Sequence, residues 1–154
     1  MPNITFSSGN EELLNIIQPL WEQLNEHHRS KTQHFQQYYT KFTFDKRKAS
    51  LLELANTGTI RVDLAKDLAA DHYAGYCVST IDQDQNGEIQ SLFVEPDYRK
   101  LGIGGKFMER ALARLDENSA KKISISVAGG NEQAFAFYRQ YGFFPRRTTL
   151  ERLL

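Results

Sequence analysis

Residues 94–107 read Val-Glu-Pro-Asp-Tyr-Arg-Lys-Leu-Gly-Ile-Gly-Gly-Lys-Phe and join a strand-like run to a helix-like one. The preceding residues 89–94 alternate in a β-rich pattern, and Pro96 ends that run because proline has no amide hydrogen for a sheet ladder. From Ile103 to Leu115, apolar residues recur at steps of three and four, which predicts a helix with one buried face. The glycines therefore lie at the N-terminus of a helix.

The start of this helix is a predicted anion site. The first N–H groups of a helix have no intrahelical partner, and the aligned peptide dipoles place partial positive charge at the same point. Main chain alone can therefore hold a phosphate there, and Arg99, Lys100 and Lys106 add positive charge around it. The alternative is that the glycines only allow tight packing.

The sequence of this loop does not match the motifs of two well-known phosphate-binding loops. A Walker-type loop needs Ser or Thr directly after Gly-Lys, but Phe107 follows Lys106. A dinucleotide-binding loop needs a third glycine three positions after Gly104, and that position is again Phe107. The residues alone leave the ligand open.

The composition of the chain predicts one globular domain. The 154 residues are 40% hydrophobic and 25% charged, with a formal net charge of zero, so no overall field favours nucleic acid or an acidic membrane. The single cysteine, Cys77, cannot form an internal disulfide and is interpreted as a small core hydrophobe, with a catalytic thiol as the alternative. No apolar run reaches about 18 residues and no basic leader precedes one, so we expect a cytoplasmic protein.

The first half of the chain predicts a strand and two helices. Residues 3–6 form the strand, and Ser8 and Glu11 have the spacing of a capping box for the helix that follows. Pro19 must kink or divide that helix, because proline removes a backbone donor. A second helix covers about 45–55 and ends near Gly58.

The second half predicts a sheet. Alternating residues over 60–64, 73–81 and 88–94, with a turn at Asn86-Gly87, indicate an antiparallel meander. A strand over 123–127 returns after the helix by a β-α-β crossover, which makes it locally parallel. Asn131 is a candidate cap for a last helix, which Gly142 ends.

Two motifs carry a resemblance to a known family. Arg99-Lys100-Leu101-Gly102-Ile103-Gly104 resembles the acetyl-CoA loop of the GNAT superfamily of N-acetyltransferases: Arg or Gln, two residues, Gly, one residue, then Gly or Ala. The segment from Asn131 to Phe143 resembles the second GNAT motif, in which Asn precedes an alanine, an aromatic residue, Tyr and Gly-Phe. Both occur in the family order, and the resemblance covers about residues 89–143.

The resemblance implies an α/β (α+β) fold in one domain over residues 1–154. It implies a mixed, mostly antiparallel twisted sheet with a central, splayed pair of parallel strands and helices on both faces. The helices of about 8–56 form the side of the amine substrate, and about 88–143 form the acetyl-CoA core. The implied reaction is direct transfer of an acetyl group from acetyl-CoA to a primary amine of a small molecule or peptide. The alternative is an acyl-CoA-binding sensor without catalysis.

The resemblance also implies the site residues. The pantetheine arm bonds the main chain of residues 92–94, the pyrophosphate lies on the amides of 100–105, and Asn131 and Phe137 line the rest. The implied set for acetyl-CoA is Leu92, Phe93, Val94, Arg99, Lys100, Leu101, Gly102, Ile103, Gly104, Gly105, Lys106, Asn131, Ala134, Phe137 and Tyr138.

Tyr138 matches the general acid of the family, since an ordinary pKa of about 10 keeps its hydroxyl protonated at neutral pH. The backbone N–H of Val94 is the candidate for polarising the thioester carbonyl. Glu88 is preferred as the base, because a carboxylate at the start of the strand would face the amine side. Glu95 is the alternative, and some family members use no dedicated base.

Residues 27–48 are aromatic and basic, and three interpretations compete. The histidines His27, His28 and His34 suggest a metal, but no supporting ligand lies at a suitable spacing, so we predict no metal. Basic residues among aromatics can also bind nucleic acid, but a solvated helix face is the more common explanation of such a run. In a GNAT-like fold the segment lies beside the amine entrance, and we expect it to shape that pocket. Its composition favours an amine with a carboxylate over a polyamine.

The end of the chain departs from the family pattern. After Pro145 only residues 146–154 follow, enough for one strand, whereas many relatives have two strands beside the amine pocket. We therefore expect a homodimer in which a neighbouring subunit completes this wall.

Overall fold

The computed structural model describes residues 1–154 as a five-stranded sheet with helices on both faces. The strands follow the chain in the order β1-β2-β3-β4-β5. Their bounds are Ile4–Gly9 (β1), Thr59–Asp67 (β2), His72–Ile81 (β3), Asn86–Val94 (β4) and Lys122–Ile125 (β5). The α-helices are Gln18–Lys31 (α1), Gln36–Lys41 (α2), Phe44–Thr57 (α3), Ile103–Glu117 (α4) and Ala134–Arg139 (α5). Short 3-10 helices cover Glu11–Ile17 and Pro96–Tyr98.

The parallel pairing of β4 and β5 ends partway along β4. β1 to β4 are antiparallel, and β5 pairs with β4 in parallel only from Asn86–Lys122 to Ile89–Ile125. From Ser91 onward, β4 pairs with β3 alone. The predicted splay is confirmed, but the pair lies at one end of the sheet and not at its centre, since no strand forms beyond β5.

Two hydrophobic clusters fill the space on either side of the sheet. One joins α1 and α3 to β2–β4 around the fully buried Tyr76, and the other joins α4 to the opposite face around the fully buried Phe107. The helix α4 runs back over the sheet because its apolar residues recur on one side, as the sequence predicts. The meander and the β-α-β crossover are likewise confirmed.

The entry into α1 confirms one prediction and corrects another. The 3-10 helix ends at Ile17 and α1 begins at Gln18, with Pro19 in its first turn, where a missing N–H removes no intrahelical bond. The prediction of a capping box formed by Ser8 and Glu11 is wrong. Ser8 lies in β1, and the amide of Asn10 donates instead to Glu12 Oε1 at 3.0 Å.

The end of the chain differs from the predictions in three ways. β5 ends at Ile125 and not at Val127, because the chain leaves β4 there. Asn131 does not cap α5 with its side chain; the Ala134 amide donates to its backbone oxygen. Residues 140–154 form no strand, so the edge of β5 is unpaired. The homodimer stays a prediction. It would be contradicted if solution scattering shows a monomer at a concentration at which the protein is fully active.

None of the helices is both long and apolar enough to cross a membrane.

Candidate active site

The gap between β4 and β5 opens into a cavity of about 290 Å³. Its floor consists of residues 89–92 from β4 and residues 125–128 at and after the end of β5. Asn131 and Tyr138 close one side, and α1, α2 and α3 cover the other. The cavity therefore occurs where the two parallel strands stop pairing, and it lies at the small end of the usual size range for ligand sites.

Aromatic side chains form the wall on the helical side. Tyr38 stacks on Phe42 with ring centroids 5.5 Å apart, and Phe42 meets Trp21 edge-on at 5.6 Å. Asn25 of α1 holds α2 in place, because its Nδ2 donates to the backbone oxygens of Tyr39 and Phe42 at 2.9 and 3.3 Å. The short helix α2 thereby presents a fixed apolar surface to the cavity.

Two basic side chains line the cavity, and no carboxylate does. Burial, together with the neighbouring His27, lowers the pKa of His28 to about 4, so its ring is neutral at pH 7. The buried Nδ1 of His28 has no hydrogen-bond partner in the chain. Burial also lowers the pKa of Arg47, which stays charged at neutral pH.

Tyr138 brings an unpaired hydroxyl to the cavity. α5 places its ring edge-on to Phe137 at 5.1 Å, and the hydroxyl makes no hydrogen bond within the chain, unlike that of Tyr76, which pairs with Ser91 Oγ at 2.7 Å. Burial, with a smaller contribution from Cys77, raises the pKa of Tyr138 to about 12. The group is therefore a protonated donor without a partner. Cys77 itself is fully buried and burial raises its pKa, which makes it a core residue and a poor nucleophile.

The N-terminus of α4 has the backbone geometry of an anion site. Gly102 caps the helix with a φ of +78°, a conformation that glycine adopts without strain. The amide of Lys106 donates to Gly102 O at 3.0 Å, so the helical amides before it have no intrahelical partner. A Cβ on Gly104 would lie 3.4 Å from Phe137 Cζ, and one on Gly105 would lie 2.8 Å from the Tyr141 hydroxyl. Gly105 thus lets Tyr141 approach α4 closely, which supports the packing interpretation, and the anion site stays a prediction.

The basic residues of the loop differ in their surroundings. Arg99 is exposed, but its Nε donates to Val94 O at 2.9 Å and its guanidinium lies 5.6 Å from the centre of the Phe93 ring. Lys100 has a φ of +71°, and Lys106 pairs with Glu109 at 3.8 Å on the surface. Arg99 therefore lies at the end of β4, Lys100 precedes the helix, and Lys106 is in its first turns.

The two candidate bases also differ. Burial raises the pKa of Glu88, against the opposing charges of Arg47 and Lys122. Glu88 does not line the cavity, although its pKa responds to Arg47, which does. Glu95 is held by His72 and by Gln23, whose Nε2 donates to it at 2.8 Å, and it lies outside the cavity.

The structure brings together only part of the set predicted from the sequence. Leu92, Asn131 and Tyr138 line the cavity, whereas Phe137 packs between α5 and the rest of the domain and Ala134 does not line the cavity. Asn131 Oδ1 lies 3.3 Å from His27 Nε2, which fixes its side chain toward α1. Residues 27–48 contribute five side chains to the lining, as expected of that segment: His28, Tyr38, Tyr39, Phe42 and Arg47.

Sequence reasoning missed the individual roles of two of these. In the sequence, the histidine pattern suggests only a metal ligand for His28, and no group of three or more His, Cys, Asp or Glu side chains comes together to hold a metal. Arg47 stands out in the sequence only as one positive charge in a basic run. No local pattern marks either residue, because their position in the cavity depends on how α1 and α3 pack on β4.

Comparison with known proteins agrees with this geometry. The family model described as the acetyltransferase (GNAT) family matches residues 11–143, so the chain belongs to the GNAT acetyltransferase family. An N-alpha-acetyltransferase of Caenorhabditis elegans is 32% identical over 80 residues, which cover 47% of this chain and 44% of that protein. The chain spans less than half the length of the curated relatives it matches.

Solved structures agree on the fold. A GCN5-related N-acetyltransferase from Ralstonia eutropha superposes with a TM-score of 0.74 at 15% identity, covering 98% of this chain and 99% of that one. The PaiA N-acetyltransferase from Thermoplasma acidophilum, solved in complex with coenzyme A, superposes with a TM-score of 0.72 at 18% identity, covering 96% of this chain and 93% of that one. At these identities the likeness supports the fold alone.

Proposed function

We propose that this protein transfers the acetyl group of acetyl-CoA directly to a primary amine of a small molecule or peptide. The observation that carries the proposal is the Tyr138 hydroxyl, which is protonated and has no hydrogen-bond partner. It lines a cavity at the point where two parallel strands stop pairing, and the chain belongs to the GNAT family. The worm relative is named as an N-alpha-acetyltransferase and the Thermoplasma structure contains coenzyme A, which supports the same donor and acceptor chemistry.

The residues at the start of α4 fit the phosphates of the donor. Unpaired amides, the helix dipole and the nearby Lys100 and Lys106 offer donors and positive charge to a pyrophosphate without a metal ion. The edge of β4 beyond Ile89 has no partner in β5, so its main chain can bond an extended pantetheine arm at residues 92–94. In this proposal Arg99 holds the strand end and Asn131 faces the thioester.

Bound acetyl-CoA supplies an activated acyl group on a thiol leaving group. The chain must supply a proton for the departing sulfur, and Tyr138 can donate one because its pKa lies above the working pH. The amine must lose a proton before or during attack. The charged Arg47 and the absence of a carboxylate from the lining disfavour an ammonium in the cavity. The N–H of Val94 remains the candidate for polarising the carbonyl.

Glu88 is the proposed base, acting through water because it does not line the cavity. Its raised pKa makes the carboxylate more basic than usual, so it holds a proton more readily. We expect Glu88→Gln to lower kcat by about 10-fold or more with little change in the KM for acetyl-CoA. Glu95→Gln is the matched control and should keep most of the activity. An unchanged kcat in Glu88→Gln would leave the reaction without a carboxylate base.

The proposed function is tested by following release of free CoA with a panel of primary amines. We expect at least one amine to release CoA and to gain the mass of an acetyl group. Stabilisation against heat by acetyl-CoA, with no release by any amine, would contradict the proposal and favour the alternative of an acyl-CoA sensor.

A further inference from the structure

Arg47 is a cation that faces the cavity without an anionic partner. One of its terminal nitrogens, Nη2, donates to Gln90 O at 2.8 Å and to Gln90 Oε1 at 3.3 Å. Its Nε and its other terminal nitrogen make no hydrogen bond, and no carboxylate forms an ion pair with it. A guanidinium has five N–H donors, so Arg47 keeps donors available to a ligand.

The sheet itself holds Arg47 in this position. β3 and β4 shift register between Val78 and Ser79, so Gln90 is left out of the pairing and forms a β-bulge. The oxygen of this bulged residue is the one that accepts from Arg47, while its side chain donates to Thr80 Oγ1 at 2.9 Å. A guanidinium anchored by one nitrogen on a rigid strand is well suited to bind an anion with the others.

The rest of the lining is apolar or neutral. Glu88 is the only carboxylate near enough to influence the pKa of Arg47, and it neither pairs with Arg47 nor lines the cavity. The remaining surface toward α1 and α2 is the stacked aromatic wall. A polycation would place several charges beside Arg47 with no acidic side chain in the lining to balance them.

We propose that the amine substrate carries a carboxylate that Arg47 binds and an apolar or aromatic body that the aromatic wall covers, as in an apolar amino acid. This inference rests on the proposed function and names its substrate class. The carboxylate can come from a free amino acid or from an acidic side chain near a peptide N-terminus, and the two sources share the same recognition by Arg47.

The test compares matched amines in the acetyl-transfer assay. The native protein should use L-phenylalanine over L-phenylalaninamide, or Phe-Glu-Ala-amide over Phe-Gln-Ala-amide, by about 10-fold or more in kcat/KM. The pair that shows the preference identifies the source of the carboxylate. Arg47→Gln should reduce that ratio to about one, and Arg47→Lys should leave an intermediate ratio, because lysine keeps the charge without the fork of donors. Comparing ratios between variants cancels the different basicities of the amines.

Lys48→Gln is the control, since Lys48 is on the same helix but bonds Asn15 Oδ1 at 2.8 Å outside the cavity. It should keep the native ratio. Equal use of acid and amide in both pairs by the native protein, or a preference that survives in Arg47→Gln, would overturn the inference. Thermal unfolding of each variant checks that the fold is retained.

A binding measurement separates this inference from the proposed function. Calorimetry with CoA-saturated protein should give tighter binding of N-acetyl-L-phenylalanine than of its amide, or the same for the acetylated peptide pair, and the difference should disappear in Arg47→Gln. This preference without any acetyl transfer would contradict the proposed function and keep the inference. Acetyl transfer without a preference for the carboxylate would support the proposed function and contradict the inference.

Discussion

Replacing Tyr138 by phenylalanine should lower kcat by about 100-fold or more while the KM for acetyl-CoA stays nearly unchanged. The hydroxyl lines the cavity and its pKa is raised to about 12, so in the native protein it is almost fully protonated at neutral pH. Removing it takes away the only proton donor proposed for the departing sulfur. The measurement is steady-state release of free CoA with a saturating amine.

The same substitution should leave the fold intact. The Tyr138 hydroxyl has no hydrogen-bond partner in the chain, so phenylalanine strands no buried polar group and keeps the ring contacts with Phe137 and Phe143. Tyr141→Phe is the matched control just beyond the same helix, because its ring also packs on Phe137 but lies outside the cavity. If Tyr138→Phe turns over at the native rate, another group supplies the proton.

The pH dependence gives a second check on Tyr138. Its acid form is present below the pKa and is lost only as the pH rises through about 12. The native rate should therefore not fall from this group between neutral pH and pH 10. A loss of kcat centred near the ordinary tyrosine pKa of about 10 would show that Tyr138 is more exposed in the working enzyme than in this structure.

The sequence predicts most of the fold, because the fold depends on regular patterns. The apolar period of α4, the alternation in β2–β4 and the position of Pro19 each follow from local rules and are confirmed. Most errors occur at the ends of elements, where tertiary contacts decide, and one concerns the place of the parallel pair in the sheet. Asn131 meets His27, 104 residues away in the chain, and so its side chain is not used for the expected cap of α5.

The sequence predicts the glycine loop at the start of α4 but not the side chains that line the cavity. Gly102 stands out because it starts the helix with a φ of +78°, and Gly105 because a Cβ there would lie 2.8 Å from the Tyr141 hydroxyl. Arg47 faces the cavity only because Gln90 is bulged from a strand 43 residues later in the chain. A contact between residues so far apart in the chain cannot be predicted from a local sequence pattern. The sequence therefore predicts that residues 27–48 lie near the site but does not single out Arg47.

A carboxylate at the start of α4 should abolish tight binding of CoA without unfolding the protein. Gly104→Asp places a negative charge among the free amides of the first turn, where the pyrophosphate is proposed to lie. Acidic residues in a first turn stabilise the helix itself by about 0.3–1 kcal/mol, so the fold should be retained. Like charges at close range cost several kcal/mol, and we expect the Kd for CoA to rise by about 100-fold in calorimetry.

Gly104→Ala separates the charge from the added Cβ. That Cβ would lie 3.4 Å from Phe137 Cζ, an ordinary contact distance, so alanine should weaken CoA binding by no more than about 3-fold. S-acetylpantetheine carries no phosphate, and the alanine and aspartate variants should use it as donor at similar rates. If Gly104→Asp binds CoA as tightly as Gly104→Ala, the phosphates do not lie on this helix. The glycines of the loop would then serve only close packing, which is the alternative interpretation of this loop.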